Sequence, residues 1–213
     1  MIKNFIILLI FIYANEGLCG VSVLGTRFVM ENNAQLLNIK ISNDNESDYL
    51  IKSTSDDNSV IITPPLMLLK RNNSNFITII PKEMKKTSSD KLINLTITAI
   101  PKSLDKSSDN SVSIAVRSHF KIIYRHKELN DSSFNKMELI IKNNHCMLVN
   151  NSKFIFTLSL SQHKSEKGNK LFSIRPEESV TLGDKNSAAC NSWVNFYNEY
   201  NDIIKSVIPS RTK

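Results

Sequence analysis

Short runs of alternating apolar and polar residues recur along almost the whole chain, and sustained helical periodicity is scarce. Val21-Ser22-Val23, Leu37-Asn38-Ile39-Lys40-Ile41 and Ile77-Thr78-Ile79-Ile80 have the period of strands. So do Leu92 to Ile100, Val112 to Tyr124, Leu139-Ile140-Ile141 and Phe154 to Leu160. Between them lie clusters of Asn, Asp, Ser and Lys, at Ser42–Asp48, Ser53–Ser59 and Lys102–Asn110. These residues hydrogen-bond locally with their own backbone and so favour turns. Many short strands at this spacing predict an all-β chain built as a β-sandwich.

The N-terminus has the order of an export signal. Lys3 supplies a positive start, Phe5 to Ala14 an apolar stretch too short to span a bilayer, and Gly17, Cys19 and Gly20 small residues near a cleavage point. Residues 1–19 are therefore read as a signal peptide. The chain beyond them is expected to be soluble, with no membrane insertion. A lipid-modified Cys19 fits less well, because Glu16-Gly17-Leu18 is a poor match to the sequence such sites need.

Residues 1–19 hold one Lys and one Glu, so the remainder keeps the whole formal charge of +7. That charge is spread over many lysines with no basic run and no aromatic-rich nucleic-acid motif. It reads as solubility, and no nucleic-acid partner is expected. Cys146 and Cys190 remain after cleavage. In an oxidising compartment they form either a disulfide or two buried free thiols. His119, His126, His145 and His163 show no metal spacing and are expected mostly at the surface. There is no Ser-His-Asp order, G-x-S-x-G or phosphate loop, so neither an enzyme nor a cofactor is expected.

A polar break at Lys127–Ser133 divides the chain. It predicts one β-sandwich over residues 20–133 and a second over 134–213, each large enough for an Ig-like domain. Val112, Ile114 and Val116 alternate with Ser113, Ala115 and Arg117, giving a strand with one apolar edge. Further along, Lys121 interrupts the apolar run Phe120 to Tyr124. On the residues alone it is either a strand-edge charge or an anion ligand. The valines and Ile114 are either a core strand or a row offered to a partner.

The order of several short segments resembles the periplasmic pilus (fimbrial) chaperone family. Gly25-Thr26-Arg27-Phe28-Val29 is similar to the family's first strand, and Ile41 to Asn45 with Tyr49-Leu50 to the next strand and turn. Thr63-Pro64-Pro65-Leu66 resembles its Pro-Pro element, Ala99-Ile100-Pro101 an Ile-Pro strand end, and Lys121 to Arg125 a strand ending in Tyr-Arg. Asn195 to Tyr200 resembles a Tyr-rich segment near the family's C-terminus. Departures are Arg71-Asn72 in place of a Pro-Gly turn, Thr78 where an Arg is common, and Thr54 near a position often held by Trp.

The resemblance implies two Ig-like sandwiches in tandem with an interdomain cleft, in the periplasm. It implies that Arg27 and Lys121 bind the C-terminal carboxylate of a pilus subunit. It implies that Val112, Ile114 and Val116 are lent to that subunit as a donor strand. It further implies delivery to an outer-membrane usher. The short, cysteine-free Lys102–Asn110 loop is similar to the short-loop branch, whose clients build rod-like or tip-bearing pili. A secreted Ig-like adhesin or a pilus structural subunit is the alternative; two domain-sized halves favour the chaperone.

Overall fold

The computed structural model describes residues 20–82, 87–102 and 113–212. The expected signal peptide, most of the Lys102–Asn110 loop and Val112 lie outside them. The first half forms nine strands: β1 (Val21–Val23), β2 (Arg27–Met30), β3 (Leu37–Asn43), β4 (Tyr49–Ser55), β5 (Val60–Thr63), β6 (Leu66–Leu69), β7 (Asn73–Pro81), β8 (Lys91–Pro101) and β9 (Val116–Tyr124). They build a four-stranded sheet ordered β1-β3-β7-β5 and a five-stranded sheet ordered β2-β9-β8-β4-β6.

Alternation explains why the two sheets face each other. On β3, Ile39 and Ile41 are buried while Asn38 and Lys40 are exposed. On β8, Ile93, Leu95, Ile97 and Ala99 point inward and Asn94 is exposed. With Ile77, Ile79, Ile51 and Ile122 they form one aliphatic core. Each fully buried branched side chain contributes about 1.5–3 kcal/mol relative to exposure.

After a short helix α1 (Asp131–Phe134), the second half forms β10 (Met137–Lys142), β11 (His145–Asn150), β12 (Phe156–Ser161), β13 (Phe172–Ile174), β14 (Ser179–Asp184), β15 (Trp193–Tyr197), β16 (Ile203–Val207) and β17 (Ser210–Thr212). Asn130 caps α1, its side chain accepting from the Ser133 amide at 3.2 Å. The sheets are ordered β14-β11-β10-β17 and β13-β12-β15-β16. Their core is more aromatic than the first. Phe134, Phe154, Phe156 and Phe196 pack with ring centroids 4.9–6.1 Å apart. The chain thus has the expected tandem of β-sandwiches.

The two halves are joined through a buried carboxylate. The Asp90 side chain is fully buried beside Arg125, which is 8% exposed. Asp90 Oδ2 accepts from Arg125 Nη1 at 2.5 Å and from the Ile155 amide at 2.9 Å. Its Oδ1 accepts from the His126 amide at 3.0 Å and lies 2.8 Å from His126 Nδ1. Arg125 Nη1 also donates to the Ile155 carbonyl, and the Asp90 amide to the Lys153 carbonyl. Asp90 therefore binds the connection after β9 and the segment before β12 at once. His126, expected at the surface, is drawn inward by this carboxylate and packs on Phe154 at 4.5 Å.

Asp90→Asn keeps the shape but leaves the Arg125 guanidinium buried without its counter-charge. Loss of one partner from such a pair costs about 3–5 kcal/mol. Urea unfolding should show a loss of that size; a loss under about 1 kcal/mol would mean that water or a rearranged partner compensates.

Candidate functional site

Two cations meet because β2 and β9 run parallel. Their register pairs Arg27 with Lys121, Phe28 with Ile122, Val29 with Ile123 and Met30 with Tyr124. Phe28 and Phe120 turn to the first core, with centroids 6.1 Å apart. By alternation Arg27 and Lys121 stand together on the opposite face, toward the second sandwich. They line a cavity of about 250 Å³ with Thr26, His119, Thr157 and Ser173. The structure thus brings the two anchor candidates side by side, in a cleft with walls from both domains.

Their environments differ. Arg27 Nη2 donates to the Asn198 carbonyl at 2.9 Å and to Asn201 Oδ1 at 2.7 Å. Burial lowers the pKa of Arg27, and the nearby Glu199 charge acts in the other direction. The guanidinium remains charged at neutral pH. Lys121 is exposed and makes no ion pair among the described residues. Its amide donates to the Thr26 carbonyl at 3.2 Å, where the β2 pairing starts. His119 shares the face of Lys121, with Nδ1 3.1 Å from Thr96 Oγ1.

Behind Arg27 a second cavity of about 280 Å³ is lined by Glu31, Arg125, Tyr197 and Glu199 among others. Burial raises the pKa of Glu31, and Arg125 partly offsets that rise.

Beyond Lys121 the strand has one open side. β8 pairs with β9 along its full length, from Val116 opposite Ala99 to Tyr124 opposite Lys91. β2 pairs only with residues 121–124. Among the described residues no strand covers the other side of Val116 to Phe120. The row that ends in buried Phe120 runs back through half-buried Ser118 to Val116, which is 56% exposed. Ile114 is 71% exposed and precedes the strand. The strand read from sequence as starting at Val112 therefore begins at Val116. Among the described residues this end of the row is left open to solvent.

Asp90, Asn198 and Asn201 were not visible in sequence. Asp90 sits in a polar cluster that reads as a loop, Asn198 lies inside the Tyr-rich segment Asn195 to Tyr200, and Asn201 directly follows it. Within that segment Phe196 and Tyr197 are buried, whereas Tyr200 is 74% exposed at the tip of the turn.

A family model described as "Pili and flagellar-assembly chaperone, PapD N-terminal domain" matches residues 20–130. Among solved structures, the periplasmic chaperone SfaE is similar at 21% identity and a TM-score of 0.71, over 91% of this chain and 100% of that one. The E. coli chaperone DraB is similar at 19% identity and a TM-score of 0.67, over 88% and 96%. A structure of Salmonella enterica SafA pilin in complex with the SafB chaperone is similar at 15% identity and a TM-score of 0.71, over 88% and 94%. At these identities the likeness is one of fold. No curated protein sequence matches the chain.

Cys146 and Cys190, left open between a disulfide and buried thiols, are free and buried in the structure. Cys190 Sγ donates to the Asp184 carbonyl at 3.3 Å. Burial, then the contact with Cys190, pushes the Cys146 thiol up from 9.0 to about 11. The thiolate is the reactive species, and a rise from 9.0 to about 11 leaves roughly 100-fold less of it at pH 8. Iodoacetamide at pH 8 should therefore label Cys146 of the reduced, folded protein at least about 100-fold more slowly than the urea-unfolded chain. Equal rates would show that the thiol is neither buried nor held protonated.

Proposed function

Because the chain belongs to the pili and flagellar-assembly chaperone family, we propose that it is a periplasmic chaperone that captures pilus subunits, completes them with its own β9 and passes them to an outer-membrane usher. The observation that carries this reading is the Arg27–Lys121 pair at the end of the open side of β9.

A strand with a free side presents unpaired N–H and C=O groups. An incoming chain can pair with them, while alternate side chains enter its apolar groove. Ile114 and Val116 supply such a row, and each would contribute about 1.5–3 kcal/mol once buried. Val112 extends the row in sequence.

The cations give this pairing an end point. A terminal carboxylate in the cleft accepts charge-assisted bonds from Arg27 and Lys121, worth on the order of 1.5–3 kcal/mol each. Pinning the terminus at one position sets which subunit residue faces each residue of β9. A slip by one residue would turn every apolar side chain to the wrong face. No step involves bond making or a cofactor; the work is complementarity. Reading the first 19 residues as an export signal places this work in the periplasm.

Arg27→Ala and Lys121→Ala should each lower the amount of co-expressed subunit recovered from the periplasm by about tenfold or more, from the loss of a charged contact. Both variants should stay folded. Normal subunit levels with both would sink the anchor role.

Ile114→Asp should disrupt capture through a desolvated carboxylate in the groove, and Ser113→Asp much less. Since Ile114 is largely exposed, circular dichroism should show a folded Ile114→Asp protein. Undiminished subunit binding by that protein would remove Ile114 from the donor row.

A further inference from the structure

We propose that Asn201 is a positioning residue for Arg27, holding the guanidinium with a neutral acceptor so that its charge stays available to the incoming carboxylate. The proposal rests on the carboxylate-anchor reading above.

The turn between β15 and β16 is built independently of Arg27. Asn198 Oδ1 accepts from the Tyr200 amide at 3.0 Å and the Asp202 amide at 2.8 Å. The Asn198 amide donates to the Asp202 carbonyl at 3.0 Å, and the Asn201 amide to the Asn198 carbonyl at 3.3 Å. Within this frame Asn201 has φ 64°, a left-handed conformation that asparagine adopts more readily than most residues. The turn then presents two oxygens to Arg27, the Asn198 carbonyl and Asn201 Oδ1.

Both contacts are made by Nη2. A guanidinium has five N–H donors, so those on Nε and Nη1 remain for a ligand. Neither acceptor carries a charge. The second domain therefore orients the cation without neutralising it, which a carboxylate at position 201 would do. Two acidic side chains already stand nearby. Glu199 acts on Arg27 through its charge, and Asp202 is engaged by Asn198 Nδ2 at 3.4 Å. The acceptor in direct contact is the amide.

Two variants separate positioning from mere structure. Asn201→Gly keeps the left-handed backbone and removes the acceptor. Asn201→Asp keeps an acceptor, tolerates the backbone and neutralises Arg27. The probe is an N-acetylated peptide of about ten alternating apolar and polar residues, enough to run beside the open side of β9 at ~3.3 Å per residue. It is compared with the same peptide ending in an amide, by titration calorimetry against the whole chain lacking residues 1–19.

The wild-type protein should favour the free carboxylate. Asn201→Gly should reduce that preference about fivefold, the loss of one oriented hydrogen bond, with an unchanged melting temperature. Asn201→Asp should reduce it further, at equal or higher melting temperature. An Asp variant with full preference would show that any acceptor serves, and a Gly variant with full preference that none is needed. Either result overturns the positioning role while the anchor stands. A wild-type protein blind to the carboxylate would overturn the anchor, and the positioning role with it.

Discussion

The relation between the two sandwiches depends on one buried carboxylate. Asp90 leaves the loop before β8, reaches the connection after β9 and accepts from the chain entering β12. A buried ion pair adds little net stability over an apolar substitute, because desolvation offsets most of the attraction. Its value here is geometric. Four donors around two oxygens leave little rotational freedom between domains. That rigidity lets a turn at residues 198–202 meet a guanidinium on β2. A loose hinge would cost the cleft its preorganised cation, and every arriving ligand would have to order it first.

The same rigidity bears on the open side of β9. An uncovered strand beside an exposed apolar row is an aggregation hazard. The hazard is contained in three ways. The open stretch is short, about 16 Å at ~3.3 Å per residue. The face away from the core carries Arg117, His119 and Lys121, and the net charge of +7 opposes self-association. Moreover, β2 closes the strand from Lys121 onward.

Much of this was legible in sequence, for a definite reason. Strands such as Leu37–Ile41 and Leu92–Ile100 are half-buried, and period-2 alternation reports that directly. Strands are hard to read where turn-forming residues dominate: β4 runs through Ser53-Thr54-Ser55, which reads as a loop. Ser53 is nevertheless buried, because it alternates with Ile51 on the inward face of β4, and its amide donates to the Pro65 carbonyl. The cation pair was named by resemblance; the periodicity of either segment alone leaves each charge ambiguous. Its juxtaposition is a tertiary fact, set by a parallel register between residues far apart in the chain. The Asn201 contact carries no local signal either, since an asparagine in a turn looks the same with or without a guanidinium in front of it.

The parallel register also bears on the direction in which a partner must lie. β2 begins at Arg27, beside Lys121, and runs on alongside residues 122–124. A strand that fills the open side from Val116 to Phe120 stops where β2 starts, so the two would lie end to end along β9. If the partner's carboxylate sits at the cations, its C-terminus is at the Lys121 end and its chain runs in the direction of β9. On the proposed anchor role the charge site would select a parallel strand over an antiparallel one, whose terminus would fall at the Val116 end, far from either cation. Parallel pairing is slightly weaker per residue, so backbone pairing alone would not choose it. Under the same proposal, the free energy that decides polarity would come from two side chains at one end. The apolar row would then supply affinity to whichever chain is admitted in that orientation.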